Sequence, residues 1–479
     1  MRKTKIVCTL GPATDNPEVL KELMRAGMNV GRINFSHGNY QDQEERINVF
    51  KWIRGELGLP IPLLLDTQGP EIRIGKFKED KVFLENGKLF TLLNEDTIGD
   101  ETKVSITYKE LYQDVEIGRT ILINDGTIEL KVKEIINKDI LCEIIQGGYL
   151  TNRKSINVPD LVLNLPSITE KDIADIKYGI AAGFDYIAAS FVRKPEDVLA
   201  IKKVLKENNG EHIKVIAKIE NREGINNFDK ILEVADGIMV ARGDLGVEIP
   251  MEEVPIYQKQ FIKKTYKQGK PVITATQMLE SMTTNSKPTR AEVSDIANAI
   301  YDGTTAIMLS GETATGNYPV QCVETMSKVA ITIEESLKYW KRFKNREYSL
   351  EELDYKFNMN YSVCTLAANV GAKAIIAYTN TGDTSRMLSS FGPECPIFAI
   401  TENETTYRQL GAAWNIIPKL FAHQESIDKL VCLSIETLKN EGYLKKGDIV
   451  VIAGGAKAVT DLCDCDAEVN TSMGGIVII

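Results

Sequence analysis

The chain has 479 residues and a formal net charge of -10, from 57 Lys and Arg against 67 Asp and Glu. That balance argues against a general nucleic-acid or anionic-membrane binder, and no apolar run approaches the ~20 residues needed to cross a bilayer. At ~150 residues per domain the length allows about three domains, and three histidines, His37, His212 and His423, are too few for a multi-histidine zinc site.

The sequence reads as an α/β protein. Short β-branched runs at 4–9, 28–34 and 62–66, then at 184–190, 213–219, 237–241, 271–275 and 304–310, alternate with amphipathic segments. Eight such strands are what a (β/α)8 TIM barrel needs, and they assign 1–72 and 166–345 to it. Residues 73–165 break the spacing with short alternating segments and turns at Glu85-Asn86-Gly87, Asn124-Asp125-Gly126 and Gly147-Gly148, the pattern of an inserted all-β domain. After the charged stretch that begins at Arg346, apolar runs at 374–379, 397–401, 416–420, 449–453 and 475–479 predict a C-terminal α/β domain over 346–479. Eight dispersed cysteines and no secretory leader lead us to expect a reducing cytoplasm; Cys463 and Cys465 read as two ordinary loop thiols.

Barrel active sites lie at the C-terminal strand ends. Those ends carry Thr9; Arg32, Asn34, Ser36 and His37; Asp66 and Thr67; Ser190; Lys218 and Glu220; Arg242, Gly243 and Asp244; Thr276; and Ser310 with Glu312. Any one of these could be a cap or loop residue, but their convergence on one rim points to chemistry. The period of two puts Lys218 and Glu220 on one strand face, either as a buried ion pair or as a cation beside a metal ligand. Glu220 and Asp244 could supply two hard oxygen ligands to Mg2+, and Lys218 could neutralise charge on a phosphate or an enolate. Arg32 and Arg73 suit bidentate phosphate binding, with surface salt bridges the plainer alternative. Asn34, Ser36, Asp66 and Thr67 offer oxygens with one formal charge, a set compatible with a monovalent cation.

The segments Lys3-Thr4-Lys5-Ile6-Val7-Cys8-Thr9-Leu10-Gly11-Pro12, Asn34-Phe35-Ser36-His37-Gly38, Leu65-Asp66-Thr67-Gln68-Gly69-Pro70-Glu71-Ile72-Arg73, Lys218-Ile219-Glu220-Asn221, Met239-Val240-Ala241-Arg242-Gly243-Asp244, Ala275-Thr276-Gln277-Met278 and Leu309-Ser310-Gly311-Glu312-Thr313 resemble the pyruvate kinase family over essentially the whole chain. The resemblance implies phosphoryl transfer from phosphoenolpyruvate to ADP, giving pyruvate and ATP in the final step of glycolysis. It assigns Mg2+ (or Mn2+) to Glu220 and Asp244, K+ to Asn34, Ser36, Asp66 and Thr67, and phosphoryl stabilisation to Arg32, Arg73 and Lys218. Ala241, Gly243 and Asp244 would meet the substrate, with Thr276 on the path of the proton to C3. Pro12, Asn34, His37, Arg73 and Lys154 would contact the nucleotide, and the inserted domain would act as a lid.

Glu71 matches the K+-dependent members, whereas Gln68 stands where many members have a basic residue. In the C-terminal domain Thr379, Thr381, Gly382, Thr384 and Ser385 resemble the effector loop, and a sugar phosphate or AMP is the expected ligand class there. Asp383 inside that loop would repel an anion, and the acidic segment 453–466 departs from the family's second effector segment, so an ordinary capped helix stays open. A homotetramer is also implied. An aldolase acting on a 2-oxo acid and a non-catalytic metabolite sensor are the competing readings; Arg73, Lys154 and the lid speak against the first, and the intact set Lys218, Glu220 and Asp244 against the second.

Overall fold

The computed structural model describes residues 1–36, 38–161, 163–346, 355–454 and 473–479. Eight parallel strands close into a barrel: Lys5–Thr9, Val30–Asn34, Leu63–Asp66, Tyr186–Ala189, Lys214–Ile219, Gly237–Ala241, Val272–Ala275 and Ala306–Leu309, with the first pairing both the second and the eighth. All eight expected runs are strands, trimmed by a residue or two at their ends. They are buried on both faces, which is why they read as continuous apolar runs rather than as alternation. Val7, Leu64, Ile216, Met239, Ile273 and Met308 point inward and fill the barrel, while their neighbours Ile6, Cys8 and Leu65 pack outward on the helices.

Some barrel helices start on side-chain caps, whereas Pro195–Glu207, Arg242–Glu248 and Gly311–Ala314 do not. Asn39 caps the helix Tyr40–Leu57, Asn221 caps Arg222–Asn226, and Thr289 with Glu292 forms a capping box on Arg290–Asp302.

Between the third and fourth barrel strands the chain leaves the barrel to build a seven-stranded sheet around Phe90, Leu92, Val104, Leu130 and Ile140. Its entry strand, Ile72–Arg73, lies antiparallel beside its exit strand, Ser155–Asn157, so both connections cross at one place. The expected turn at Gly147-Gly148 is instead a junction. The chain runs from the strand Asp139–Gln146 straight into Gly148–Thr151, which pairs with Lys81–Leu84 in a separate two-stranded ribbon. Gly147 makes this possible, since a Cβ there would lie 2.1 Å from the Leu84 carbonyl oxygen.

The C-terminal sheet joins Ala374–Tyr378, Ile397–Thr401, Ile416–Leu420, Ile449–Gly454 and Met473–Ile478, the last strand antiparallel. It closes the end of the barrel where the strands begin. Tyr186 donates its hydroxyl to the Gln409 carbonyl at 2.9 Å, Lys5 donates to the Ile416 carbonyl at 2.8 Å, and Ala412 packs against the barrel interior. Gly411 approaches so closely that a Cβ would sit 1.8 Å from the Pro60 carbonyl oxygen. With that end plugged, the opposite mouth is the open one. Among the described residues no helix is long and apolar enough to cross a membrane.

Asp185 is the charged centre of this plug. It is fully buried, accepts from the Leu63 N–H at 3.0 Å and from Arg408 Nε at 2.8 Å, and lies 3.9 Å from Arg54. Burial raises its carboxyl above the usual range, and Arg408 offsets part of that. Arg408→Met is therefore expected to destabilise the protein by about 3 kcal/mol, since it leaves a buried carboxylate short of its partner. The readout is the midpoint of the first urea transition; the double variant with Asp185→Asn should recover most of the loss, and an unshifted midpoint for Arg408→Met would refute this account of the plug.

Candidate active site

The open mouth is lined by a buried polar network that crosses five neighbouring strands. Arg32 on the second strand donates from Nε to Asp66 Oδ2 at 2.7 Å and from Nη1 to Thr9 Oγ1 at 2.8 Å. Thr9 in turn donates to the Leu309 carbonyl at 2.9 Å. Asp66 Oδ1, at the end of the third strand, lies 3.2 Å from Lys218 Nζ and accepts from Ser190 Oγ at 3.3 Å. Lys218 also donates to Ser190 Oγ at 2.8 Å and sits 2.9 Å from Glu220 Oε1. The fifth strand ends at Ile219, one residue before Glu220, and the two side chains still meet.

Burial would raise Asp66, but Arg32 and then Lys218 outweigh it and hold the carboxyl below its usual range. For Lys218 burial would lower the pKa, and Asp66, Glu220 and Asp244 together push it well above the ordinary lysine value. The ammonium is thus a fixed positive charge at the mouth. Glu220 is raised, by burial first and by Asp244, with Lys218 opposing. Its Oε2 accepts from the Phe191 N–H at 2.5 Å, while Oε1 meets the Lys218 ammonium at 2.9 Å. A buried carboxylate near a second one, Asp244, offers the hard oxygen ligands that a divalent cation takes.

The sixth and seventh strands are joined by Arg242. It donates to the carbonyls of Ala275 at 3.3 Å and Thr276 at 2.7 Å, and pairs with Asp295 at 2.7 Å. Thr276 and Gln277 have φ of +67° and +56°, consecutive left-handed residues without a glycine. The Thr276 hydroxyl is held twice, accepting from the Gly243 N–H at 2.8 Å and donating to the Ala275 carbonyl at 2.6 Å.

Asn34 and Asp66 are register partners on adjacent strands, and Ser36 and Thr67 follow them, so the four expected K+ donors share one corner of the rim. Ser36 does not continue the strand face of Arg32 and Asn34: the strand stops at Asn34, whose side chain accepts from the Ser36 N–H at 3.0 Å in a turn. Arg32 is not a surface ion pair but a buried one. Pro12 opens a short 3-10 turn at the rim, and His37 lies outside the described residues.

Arg73 and Lys154 do not join the Lys218 network. Arg73 binds Glu71 at 2.7 Å and the Arg153 carbonyl at 2.8 Å, which ties the inserted domain's two connections together. Lys154 forms no ion pair among the described residues; its carbonyl accepts from the Ile74 N–H at 2.9 Å. Burial raises Glu71 above the usual carboxylate range, Asp244 and Asp125 add to this, and Arg73 offsets part of it. A cleft of about 90 Å3 runs between the inserted domain and the rim, lined in part by Glu71, Asp125, Asn157 and Asp244. Asn157 bridges it to Glu248 at 2.7 Å.

In the C-terminal loop the Thr379 hydroxyl accepts from the Gly382 N–H at 2.9 Å, and Thr381 donates to Asp383 at 2.9 Å. Arg386 binds Asp383 at 2.7 Å, and although burial would raise that carboxyl, Arg386 holds it low. The Asp383 charge that seemed to repel an anion is therefore already paired. Thr384 and Ser385 follow on the helix Asp383–Ser390, and the Ser385 hydroxyl is buried without a partner. Residues 455–466 lie outside the described residues.

Sequence reasoning named Ser190 and Arg242 at strand ends without finding their partners. Ser190 meets Lys218 across 28 positions and Arg242 meets Asp295 across 53, separations that no local pattern encodes. Arg193, buried and donating to the carbonyls of Leu163, Leu165 and Pro166, was missed altogether; it stitches the lid's return segment to the barrel.

The family model "Pyruvate kinase, barrel domain" matches residues 1–323 and "Pyruvate kinase, alpha/beta domain" matches 358–464. A protein named pyruvate kinase from Clostridium acetobutylicum is 47% identical over 456 residues, covering 95% of this chain and 96% of the relative. One from Bacillus licheniformis is 48% identical over 461 residues, covering 95% of this chain and 78% of the relative. One from Geobacillus stearothermophilus is 45% identical over 460 residues, with the same two shares, 95% and 78%. A barrel mouth built around a charged lysine and two carboxylates, and identity of this extent over nearly the whole chain, lead to one conclusion: the chain belongs to the pyruvate kinase family.

Proposed function

We propose that the barrel mouth transfers the phosphoryl group of phosphoenolpyruvate to ADP, giving ATP and pyruvate. The observation that carries this reading is the Lys218 ammonium, buried and held charged between Asp66, Ser190 and Glu220, with Arg32 one hydrogen bond away across Asp66. Phosphoryl transfer asks a protein chiefly for position and charge, and these two cations supply both. As the P–O bond to the enol oxygen breaks and a terminal ADP oxygen takes the phosphorus, Lys218 and Arg32 offset the charge on the transferring oxygens. Arg73 joins them from the lid side, where Glu71 fixes its guanidinium. A divalent cation, Mg2+ or Mn2+, held by Glu220 and Asp244 would add neutralisation at the phosphoryl and enol oxygens.

Ala241, Gly243 and Asp244 border the carboxylate of the substrate. The Thr276 hydroxyl proton is committed to the Ala275 carbonyl, so a water relay past Thr276, rather than direct donation, delivers the proton to C3 of enolpyruvate. Pro12, Asn34, His37, Arg73 and Lys154 contact the nucleotide, and the inserted domain closes over it to keep water from the phosphoryl group. K+ takes the corner of Asn34, Ser36, Asp66 and Thr67; what supports this is their shared position and the acidic residue at Glu71. The division into a barrel over 1–72 and 166–345, a lid over 73–165 and a C-terminal unit over 346–479, with an effector at Thr379–Ser385, belongs to the same reading, as do a homotetramer and a cytoplasmic location.

Pyruvate formation from phosphoenolpyruvate with ADP is the test. Glu220→Gln should cut kcat by about 10^3-fold or more, while its melting temperature holds or rises, because a neutral amide costs less to bury than a carboxylate. Near-normal turnover in this variant would overturn the metal assignment. Chelation should abolish turnover until Mg2+ or Mn2+ is restored. Replacing K+ by Na+ or Tris should lower the rate at least about tenfold, roughly 1.4 kcal/mol of barrel-mouth stabilisation of the transition state; full activity without K+ would remove that cation from the scheme.

A further inference from the structure

The helix Arg242–Glu248 joins three parts of the molecule within seven residues. At its start Arg242 holds the Ala275 and Thr276 carbonyls, and the Gly243 N–H donates to the Thr276 hydroxyl. Asp244 and Glu248, four residues apart, share one face, and both line the cleft between the inserted domain and the rim. At its end the helix meets the inserted domain twice. Val247 approaches the Asn124-Asp125-Gly126 turn, where a Cβ on Gly126 would lie 3.7 Å from its side chain. Glu248 Oε1 accepts from Asn157 Nδ2 at 2.7 Å, its one hydrogen bond among the described residues. The period of two in the strand Ser155–Asn157 places Asn157 for this, because Ile156 enters the inserted domain's core and its neighbour faces the other way.

Two carboxylates four residues apart on one helix repel each other. Burial raises Glu248 above the usual carboxylate range, the Asn157 amide offsets part of this, and Asp160 and Asp244 add to it. A divalent cation on Glu220 and Asp244 would cancel the repulsion from Asp244 and let a charged Glu248 settle on Asn157. We infer that Glu248 and Asn157 form a positioning pair, through which cation binding at the mouth and the seating of the inserted domain favour each other. The pair rests on the proposed reading of Glu220 and Asp244 as the cation's ligands. Linkage makes the effect reciprocal, so whatever holds the inserted domain against Glu248 also favours the cation. Asp160 pairs with Arg222 at 3.0 Å and tethers the return segment to the helix Arg222–Asn226 instead, a separate route.

Hydrogen exchange of the full-length protein, read by mass spectrometry over 120–128 and 155–158 with and without Mn2+, tests the pair. These segments hold the bond from the Asn124 N–H to the Ser155 carbonyl and the pairing of Ile156 with Ile123, which open when Asn157 lifts away. In the wild type Mn2+ should slow their exchange at least about fivefold. Asn157→Ala and Glu248→Ala should each lose this response, and the double variant should lose no more than either. Glu248→Gln keeps an acceptor for Asn157 but no charge to repel Asp244, so its exchange should be slow without the cation as well. Asp160→Asn should keep the wild-type response. The paramagnetic signal of free Mn2+ in the same samples reports cation binding separately. Mn2+ bound without slowed exchange, an undiminished response in Asn157→Ala, or a Glu248→Gln variant that behaves as Glu248→Ala overturns the pair alone; no bound Mn2+ in the wild type overturns the ligand reading and the pair with it.

Discussion

The burial of the Lys218 ammonium between two carboxylates is the interaction on which the rest of the site depends. Each of Lys218, Asp66 and Glu220 is nearly inaccessible to water, and removing such ions from water costs several kcal/mol apiece. Their mutual attraction repays this only while the geometry holds, and the geometry draws on the third, fourth and fifth strands at once. A network of this kind is a weak source of stability. What it provides is a lysine that is desolvated and charged before any ligand arrives, the preorganisation that electrostatic catalysis draws on.

The same arrangement explains how a chain of net charge -10 handles anionic substrates. Global charge sets the far field, whereas a phosphate at the mouth sees Lys218 and Arg32 at short range through a low-dielectric wall. The two ends of the barrel then divide the labour. At the strand starts, Asp185, Arg408, Tyr186 and Gly411 lock the C-terminal sheet in place, and that plug lets the opposite end stay open for ligands without leaving the barrel core exposed.

The barrel was legible because its strands are buried on both faces and therefore appear as short apolar runs such as Leu63–Asp66 and Ala306–Leu309, each followed by a polar residue at the rim. The chemistry-bearing residues were legible for the same reason, since a polar side chain at the end of such a run has few structural uses. What stayed hidden is set by distance along the chain. Nothing near Arg242 announces Asp295, and nothing near Gly147 reveals that Leu84 crosses within a Cβ's reach and turns an expected hairpin bend into a straight junction. Arg73 has partners that its motif did not show. Its motif reads as a phosphate ligand, and in this structure its guanidinium binds Glu71 and the Arg153 carbonyl.

Some departures from good folding practice lie at the mouth. Glu220 is a carboxylate buried near Asp244, and Thr276 and Gln277 hold left-handed backbone that costs about 1–3 kcal/mol each. Neither is a defect of the local sequence: an amide at 220 or a glycine at 276 or 277 would relieve the strain. They persist because the surroundings over-determine them, through the Phe191 N–H on one carboxylate oxygen and through Arg242 on two successive carbonyls. Elsewhere around the barrel, capping boxes and apolar layers agree with the backbone they build. At the mouth tertiary contacts, rather than local preference, set the conformation.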